Sequence, residues 1–305
     1  MRARVALSAR IVGTVLAVSL VLPAAANSTP PGRNGLIAFV SHTYSGEVGE
    51  GLVVIRPDGS GRRTLTHDVR DRSPAWSPDG RLLAFERAAQ IYVIRTDGGG
   101  LKRLGHRPAG DHDPAWSPDG RSIAFVTKKA LLVMRADGGG VRRLYRVGDG
   151  VVSSPSWSPN GRRIAFSVID YLGGGGGSIL TIGRDGRGLQ MVTQGTDEGD
   201  IVEPGDAADD SDPDWSPDGT QIALTRLVWL CGSCDQNEIF VANVEGAEDR
   251  WVTTDTSFEA ENPSWSPDGK QLVAEVSSGI GILTLDGKLV RMLDGYGSDP
   301  AWQPR

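Results

Sequence analysis

The stretch PAWSPDG at residues 74–80 decides the fold, because the chain repeats it. Close copies read DPAWSPDG at 113–120, SPSWSPNG at 154–161, DPDWSPDG at 212–219 and NPSWSPDG at 262–269, and a shorter copy, DPAWQP, stands at 299–304. The Trp residues of successive copies are 40, 41, 58, 50 and 37 residues apart. A unit of about 40 residues with insertions is typical of propeller blades.

Each repeat has the pattern of four short strands. In the copy that starts at residue 74, the turn SPDG is followed by the apolar segments LLAF (82–85) and IYVI (91–94). A second turn signal, DGG at 97–99, precedes the alternating segment LKRL (101–104). Pro presets φ and Gly accepts a positive φ in such turns. Four antiparallel strands per repeat predict a propeller blade.

The two ends of the chain complete one blade between them. Residues 34–66 supply a second, third and fourth strand without a PxW strand, and residues 299–304 supply a first strand alone. Joining them would close the ring and remove the exposed sheet edges. We therefore predict an all-β, six-bladed β-propeller over residues 34–305, built from four-stranded antiparallel blades and closed by the C-terminal strand.

The phrase PxWSPDGxxIAF, followed by a strand, DGG and an RLT-like strand, resembles the TolB-type propeller repeat, a WD-like repeat of bacterial proteins. It is also similar to the propellers attached to some prolyl-oligopeptidase-type peptidases. The resemblance covers residues 34–305 and implies the fold; it is much less specific about activity. TolB proteins also carry an N-terminal α/β domain, which we expect this chain to lack because residues 27–33 are too few to hold it.

The N-terminal segment is typical of a secretory signal peptide. Three Arg residues lie within the first ten, an apolar run covers 11–22, and residues 24–26 are all Ala. We expect cleavage after residue 26, a short linker at 27–33, and a secreted, periplasmic or envelope location in a bacterium. An uncleaved membrane anchor is the alternative, and no later apolar stretch reaches the length of a membrane span.

Charge argues against a nucleic-acid partner. The formal net charge is −6, and loss of the three Arg residues of the signal peptide would bring it to about −9. Phosphates would repel such a protein. We expect a monomer that binds a protein or peptide.

Two cysteines, Cys231 and Cys234, stand in the sequence CGSC. In an exported protein this spacing favours a disulfide that closes a small loop. A redox-active CxxC would need a following helix, which the pattern does not predict, and half of a zinc site would need a second pair of ligands.

Strand direction assigns the loops to two faces. The SPDG and DGG turns share one face and are nearly uniform, whereas the other connections vary in length and carry the candidate binding segments 41–51, 167–178, 196–212 and 227–238. Segment 167–178 contains five consecutive Gly residues, which fits either a mobile binding loop or a slack connection. In 227–238, Trp229 fits a partner anchor or a residue packed on the next blade.

Segment 196–212 is rich in carboxylates. Asp206, Asp209 and Asp210 are candidate ligands for Ca²⁺, the one cofactor that the sequence suggests, since Ca²⁺ takes six to eight oxygen ligands. The spacing matches neither an EF-hand nor a repeat-in-toxin loop. A solvated acidic loop is the alternative.

A ring of polar residues precedes the repeated prolines. Its members are Ser73, Asp113, Ser154, Asp212, Asn262 and Asp299. Equivalent positions of a propeller surround the channel entrance, so Asp113, Asp212, Asn262 and Asp299 are the candidate ligand-binding residues. Such a ring would favour a cation or a positively charged group of a peptide. Alternatively, each side chain caps its own turn.

Signals for catalysis are weak. His67, His106 and His112 lie in connections between blades, and a few propeller lyases gather several His around a metal in the channel, but no HExxH motif is present. The sequence contains no GxSxG elbow, so the resemblance to peptidases stops at the propeller. Asp79, Asp119, Asp218 and Asp268 are interpreted as turn residues. The favoured hypothesis is a non-enzymatic binding scaffold of the envelope; the alternative is a propeller-type lyase or hydrolase that uses channel His or carboxylates with a divalent metal.

Overall fold

The computed structural model describes residues 34–42, 50–105, 110–170, 176–194, 207–229, 235–245, 249–253, 258–277 and 279–304. Within these ranges, 24 strands form six separate four-stranded antiparallel sheets, and no helix is present. No helix there could cross a membrane. The prediction of an all-β propeller with six blades is confirmed.

The blades are numbered I to VI, with strands in the order from the channel to the outside. Blade I consists of β24 (Gly297–Trp302), β1 (Ile37–Ser41), β2 (Gly51–Ile55) and β3 (Arg63–Thr64). Blade II consists of β4 (Asp71–Trp76), β5 (Leu82–Arg87), β6 (Ile91–Arg95) and β7 (Lys102–Arg103). Blade III consists of β8 (His112–Trp116), β9 (Ser122–Thr127), β10 (Ala130–Arg135) and β11 (Arg142–Arg146).

The remaining blades follow the same order. Blade IV consists of β12 (Gly150–Trp157), β13 (Arg163–Asp170), β14 (Gly177–Gly183) and β15 (Gln190–Met191). Blade V consists of β16 (Ala207–Trp215), β17 (Gln221–Trp229), β18 (Asp235–Asn243) and β19 (Arg250–Trp251). Blade VI consists of β20 (Ala260–Trp265), β21 (Gln271–Val276), β22 (Gly279–Thr284) and β23 (Leu289–Asp294).

The C-terminal strand closes the ring as predicted. Strand β24 pairs antiparallel with β1, with Trp302 opposite Ile37 and Gly297 opposite Ser41. Gln303 then fixes the end of the strand: its Oε1 accepts a hydrogen bond from the N–H of Leu36 at 2.8 Å, and its Nε2 donates to the carbonyl of Gly80 in blade II at 3.0 Å. Both ends of the propeller therefore belong to one blade.

The turn SPDG has the same internal bonding in every blade that contains it. In blade II the hydroxyl of Ser77 donates to Asp79 at 2.6 Å and accepts from the N–H of Leu82 at 2.9 Å, while Gly80 has a φ of 66°. These bonds satisfy the turn locally, so its Asp has a structural role. We call the end of the propeller that carries these turns the hairpin face, and the opposite end the mouth face.

The hydrophobic core lies in the seams between adjacent blades. Trp76 of blade II, which is 5% exposed, packs in one cluster with Ala38 and Leu52 of blade I. Trp157 packs in the same way with residues of blade III, and Trp265 with residues of blade V. The repeated Trp therefore packs between adjacent blades, which explains why each blade contains one.

Candidate functional site

The first strands of the six blades enclose a central channel with a cavity of about 340 Å³. Three layers line it from the mouth face to the hairpin face. The polar ring forms the first layer, and the residues two positions further along each strand form the second. The third layer is a set of six prolines: Pro78, Pro118, Pro159, Pro217, Pro267 and Pro304.

All six members of the polar ring have a left-handed backbone, with φ between 46° and 52°. Each lies at an irregularity in the pairing of the first and second strands of its blade, as between Arg72 and Ala75 in blade II. Asn and Asp tolerate this conformation better than other non-glycine residues. The backbone therefore favours the residue types that also supply acceptors to the channel mouth.

Hydrogen bonds connect five ring members across neighbouring blades. The hydroxyl of Ser73 donates to Asp113 at 2.9 Å, and the hydroxyl of Ser154 donates to Asp212 at 2.7 Å. The N–H of Ser73 donates to Asp299 at 3.1 Å, and the N–H of Ser154 donates to Asp113 at 3.2 Å. These side chains join different blades, so the alternative that each one only caps its own turn does not describe them.

Glu275 of β21 bridges the remaining gap. Its Oε1 accepts a hydrogen bond from the side-chain amide of Asn262 at 2.6 Å and another from the N–H of Asp299 at 2.8 Å. The N–H of Asn262 donates instead to the hydroxyl of Thr225 at 2.9 Å. The mouth thus has a fourth carboxylate besides Asp113, Asp212 and Asp299, and the repeat pattern of the sequence did not predict it.

Glu275, Asp212 and Asp299 lie in an environment that opposes the ionisation of their carboxyl groups. Burial raises the pKa of Glu275 to about 7, and the carboxylates of Asp299 and Glu261 add to the shift. Burial also raises the pKa of Asp212 and of Asp299, and the charge of Asp113 contributes to both shifts. Burial is the main cause of these raised pKa values and repulsion between the carboxylates adds to it, so a bound positive group would lower them.

The second layer is polar on one side only. Ala75, Ala115 and Ala301 line it in blades II, III and I, whereas Ser156, Asp214 and Ser264 line it in blades IV, V and VI. Asp214 accepts hydrogen bonds from the N–H of Trp265 at 2.9 Å and the hydroxyl of Ser156 at 3.0 Å. Burial raises its pKa to about 6. The channel is therefore polar below the mouth along the side of blades IV to VI, with one further carboxyl group, that of Asp214.

The structure brings together the four predicted binding residues, since Asp113, Asp212, Asn262 and Asp299 all line the channel. The end of the acidic segment, residues 207–212, lies in β16 of blade V and not in the predicted loop, and residues 196–206 lie outside the described residues. Within that strand Asp210 is 1% exposed and forms an ion pair with Arg226 at 2.6 Å.

The calcium site and the disulfide stay predictions. Asp206, Cys231 and Cys234 lie outside the described residues, while Asp209 accepts a hydrogen bond from the N–H of Gly177. Among the residues that the structure describes, no group of three His, Cys, Asp or Glu side chains could hold a metal ion.

The candidate histidines do not converge in the described structure. His112 contacts Glu86 at 3.1 Å near the mouth, His67 is exposed, and His106 lies outside the described residues. His112 lowers the pKa of Glu86, but burial has the larger effect and raises it. The pair is a polar contact at the rim and lacks a third ligand among the described side chains.

A signal for the missed residues was present in the sequence. Glu275 follows the apolar run LVA and Thr225 follows the apolar run IAL, each within the second strand of its blade. A buried polar residue within a strand needs a partner, and here the partner is the ring. Asp214 likewise stands where other repeats have Ala or Ser.

These features define the class of protein: a closed six-bladed β-propeller with an acidic channel mouth. The chain belongs to the TolB beta propeller domain family, whose family model matches residues 37–206. A curated relative, the Tol-Pal system protein TolB of Zymomonas mobilis subsp. mobilis, is 49% identical over 37 residues, which are 12% of this chain and 8% of that protein.

Two solved structures share the fold. TolB from Acinetobacter baumannii superimposes with a TM-score of 0.70 at 22% identity, over 89% of this chain and 67% of that one. A putative TolB from Agrobacterium tumefaciens gives a TM-score of 0.64 at 20% identity, over 89% and 91% of the two chains. At 22% and 20% identity, these comparisons show a shared fold and nothing more.

Proposed function

We propose that the protein is a non-catalytic binding scaffold of the bacterial envelope that holds a protein or peptide partner on its mouth face. The observation that carries this proposal is the closed ring of Asp113, Asp212, Asp299 and Glu275 at the channel mouth. The ring is rigid, because hydrogen bonds between blades fix its members. A preformed acidic site favours a cationic group on the partner.

The channel dimensions suit an extended segment or a single long side chain. A cavity of about 340 Å³ with an acidic mouth and a floor of six prolines matches a Lys or Arg side chain, which has a charged head and an apolar stem. The lysine or arginine head would enter first and lie among the carboxylates, and the stem would extend back toward the partner on the mouth face. Membership of the TolB family supports a location in the envelope, and the expected signal peptide agrees with it.

The test is a fluorescence titration with a trilysine peptide, because six Trp residues line the channel and report its occupancy. The test variant is D113N/D212N/D299N. The matched control is D79N/D119N/D218N, which removes three negative charges from the hairpin face. Each of its substitutions places Asn at the turn position where blade IV already has Asn160. A triglutamate peptide serves as the control ligand.

We expect the test variant to bind trilysine at least about tenfold more weakly than the wild type, and the control variant to bind like the wild type. Equal loss in both variants would mean that only net charge matters, which would refute a site at the mouth. Binding of triglutamate as tight as trilysine would also refute it.

A further inference from the structure

The charge of the propeller is divided unevenly around the ring. Residues 34–194, which form blades I to IV apart from β24, contain 22 Lys and Arg against 15 Asp and Glu. Residues 195–305 contain 6 against 23. A chain with a negative total charge therefore has a positive region.

Many positive residues of blades II to IV lie at the hairpin face, although others, such as Lys128 and Lys129, lie near the mouth face. Arg81, Arg121 and Arg162 follow the inner turns of these blades and are exposed, whereas blade V has Thr220 at that position. The outer strands of blades II and III begin with a pair of exposed basic residues, as in Lys102 and Arg103.

The acidic residues of the outer turns of blades II and III are already paired. Asp97 contacts Arg95 at 3.1 Å and Asp137 contacts Arg135 at 3.1 Å. The basic pairs at the starts of the outer strands therefore add net positive charge to the hairpin face of these blades. Lys102 also lines a shallow groove between blades II and III, with a cavity of about 340 Å³, together with Arg103, Arg135 and Asp137.

Exposed aliphatic side chains directly precede the outer strands of blades II, III and IV; in blades II and III they stand beside the basic pairs, and in blade IV the next residue is Gln190. Leu101, Val141 and Leu189 are 47%, 40% and 47% exposed. Each follows a glycine of positive φ at the outer turn of its blade, so the three occupy equivalent positions in blades II, III and IV. Exposed aliphatic residues next to Lys and Arg are typical of proteins that lie on a membrane surface, where apolar groups enter the headgroup region and cations meet phosphates.

We propose that the hairpin face of blades II to IV docks onto a bilayer that contains anionic phospholipid, with Leu101, Val141 and Leu189 entering its headgroup region. The uniform turns give a broad face, which fits a planar anionic surface better than a specific pocket. The acidic mouth lies at the opposite end of the propeller and faces away from the bilayer in this orientation. The proposal goes beyond the binding scaffold and uses none of its residues.

Sedimentation with lipid vesicles tests this docking. The full chain is mixed with vesicles of equal parts phosphatidylglycerol and phosphatidylcholine, or of phosphatidylcholine alone. The test variant is R81Q/K102Q/R121Q/R143Q, and the matched control R70Q/K128Q/K129Q/R146Q removes four charges near the mouth face. All proteins share the same N-terminal segment, so its own affinity for lipid is common to them.

We expect the wild type and the control to bind the anionic vesicles, with binding that weakens as salt rises. The test variant should bind at least about a hundredfold more weakly, since each basic residue near an anionic surface contributes about a factor of five. L101N/V141N/L189N should also bind more weakly, and L289N/V290N, which changes exposed residues of blade VI, should not. Unchanged melting temperatures show that the variants are folded.

Equal binding of the test and control variants would overturn the proposal, as would wild-type binding that does not distinguish anionic from neutral vesicles. Binding to a soluble polyanion such as heparin without binding to anionic vesicles would overturn the lipid as the partner. None of these outcomes depends on trilysine binding at the mouth, so the two proposals fail separately.

Discussion

Glu275 accepts a hydrogen bond of 2.8 Å from the backbone N–H of Asp299, and this contact joins blade VI to the strand that closes the ring. The same oxygen accepts a second hydrogen bond from Asn262. One side chain therefore connects two members of the polar ring at the seam where the propeller closes. Since its pKa is raised to about 7, its protonation couples the closure to pH.

The first prediction concerns this coupling. The ordinary pKa of Glu275 is 4.5, so the folded protein holds its proton more tightly than the unfolded chain. The resulting stabilisation is complete below about pH 4.5 and is lost as the pH rises through about 7. Between pH 5 and 8 the free energy of unfolding of the wild type should fall by about 1–2 kcal/mol more than that of E275Q.

Urea unfolding at a series of pH values measures this difference. Asp214, whose pKa is raised to about 6, leaves E275Q with a weaker dependence of the same sign. Parallel stability curves for the two proteins would contradict the prediction.

Replacing Asn262 with Asp should destabilise the ring in a pH-dependent way. The substitution exchanges a donor for a carboxylate at a distance of 2.6 Å from Glu275. We expect a loss of about 2 kcal/mol or more at pH 8 and a smaller loss at pH 5, where the two carboxyl groups can share a proton. The matched control, N160D, recreates the SPDG turn of other blades and should change stability by less than about 0.5 kcal/mol. Equal losses at both pH values would refute this view of the ring.

Local turn chemistry and repeat spacing made the fold and the position of the ring predictable. The letters WSPDG specify one hairpin, and the residue before each Pro had to lie at the mouth. The role of Glu275 was not predictable in the same way, because its contacts with Asn262 and Asp299 depend on how blades VI and I pack. The pairing of Asp210 with Arg226 was missed because strand β16 begins earlier than the acidic composition suggested.

The buried pair in blade V should be sensitive to loss of one partner. Arg226 contacts Asp210 at 2.6 Å, and its guanidinium lies 4.6 Å from the ring centre of Phe240. R226Q leaves the carboxylate of Asp210 buried without its cation, and should cost about 3–5 kcal/mol of unfolding free energy. R135Q, which breaks the exposed pair with Asp137, should cost less than about 1 kcal/mol. Similar costs for both variants in chemical denaturation would disprove the distinction.

Removal of residues 299–305 should reopen the ring. Blade I loses most of its first strand, including Trp302, which is 5% exposed in the core between blades VI and I. We expect the melting temperature to fall by at least about 10 °C, or cooperative unfolding to disappear. Deletion of Arg305 alone is the control and should leave melting unchanged. A truncated protein that melts like the wild type would refute closure by β24.

Site-specific photo-cross-linking in the native envelope tests the partner site most directly. The cross-linking amino acid is placed at Lys128 or at Arg121, two exposed positions that flank opposite ends of β9. If the partner occupies the mouth face, Lys128 should give a discrete cross-linked protein, and D113N/D212N/D299N should abolish it. Arg121, on the hairpin face, should give none. A protein cross-linked from Arg121 but not from Lys128, or a product at Lys128 that persists without the ring carboxylates, would contradict the proposed mouth site.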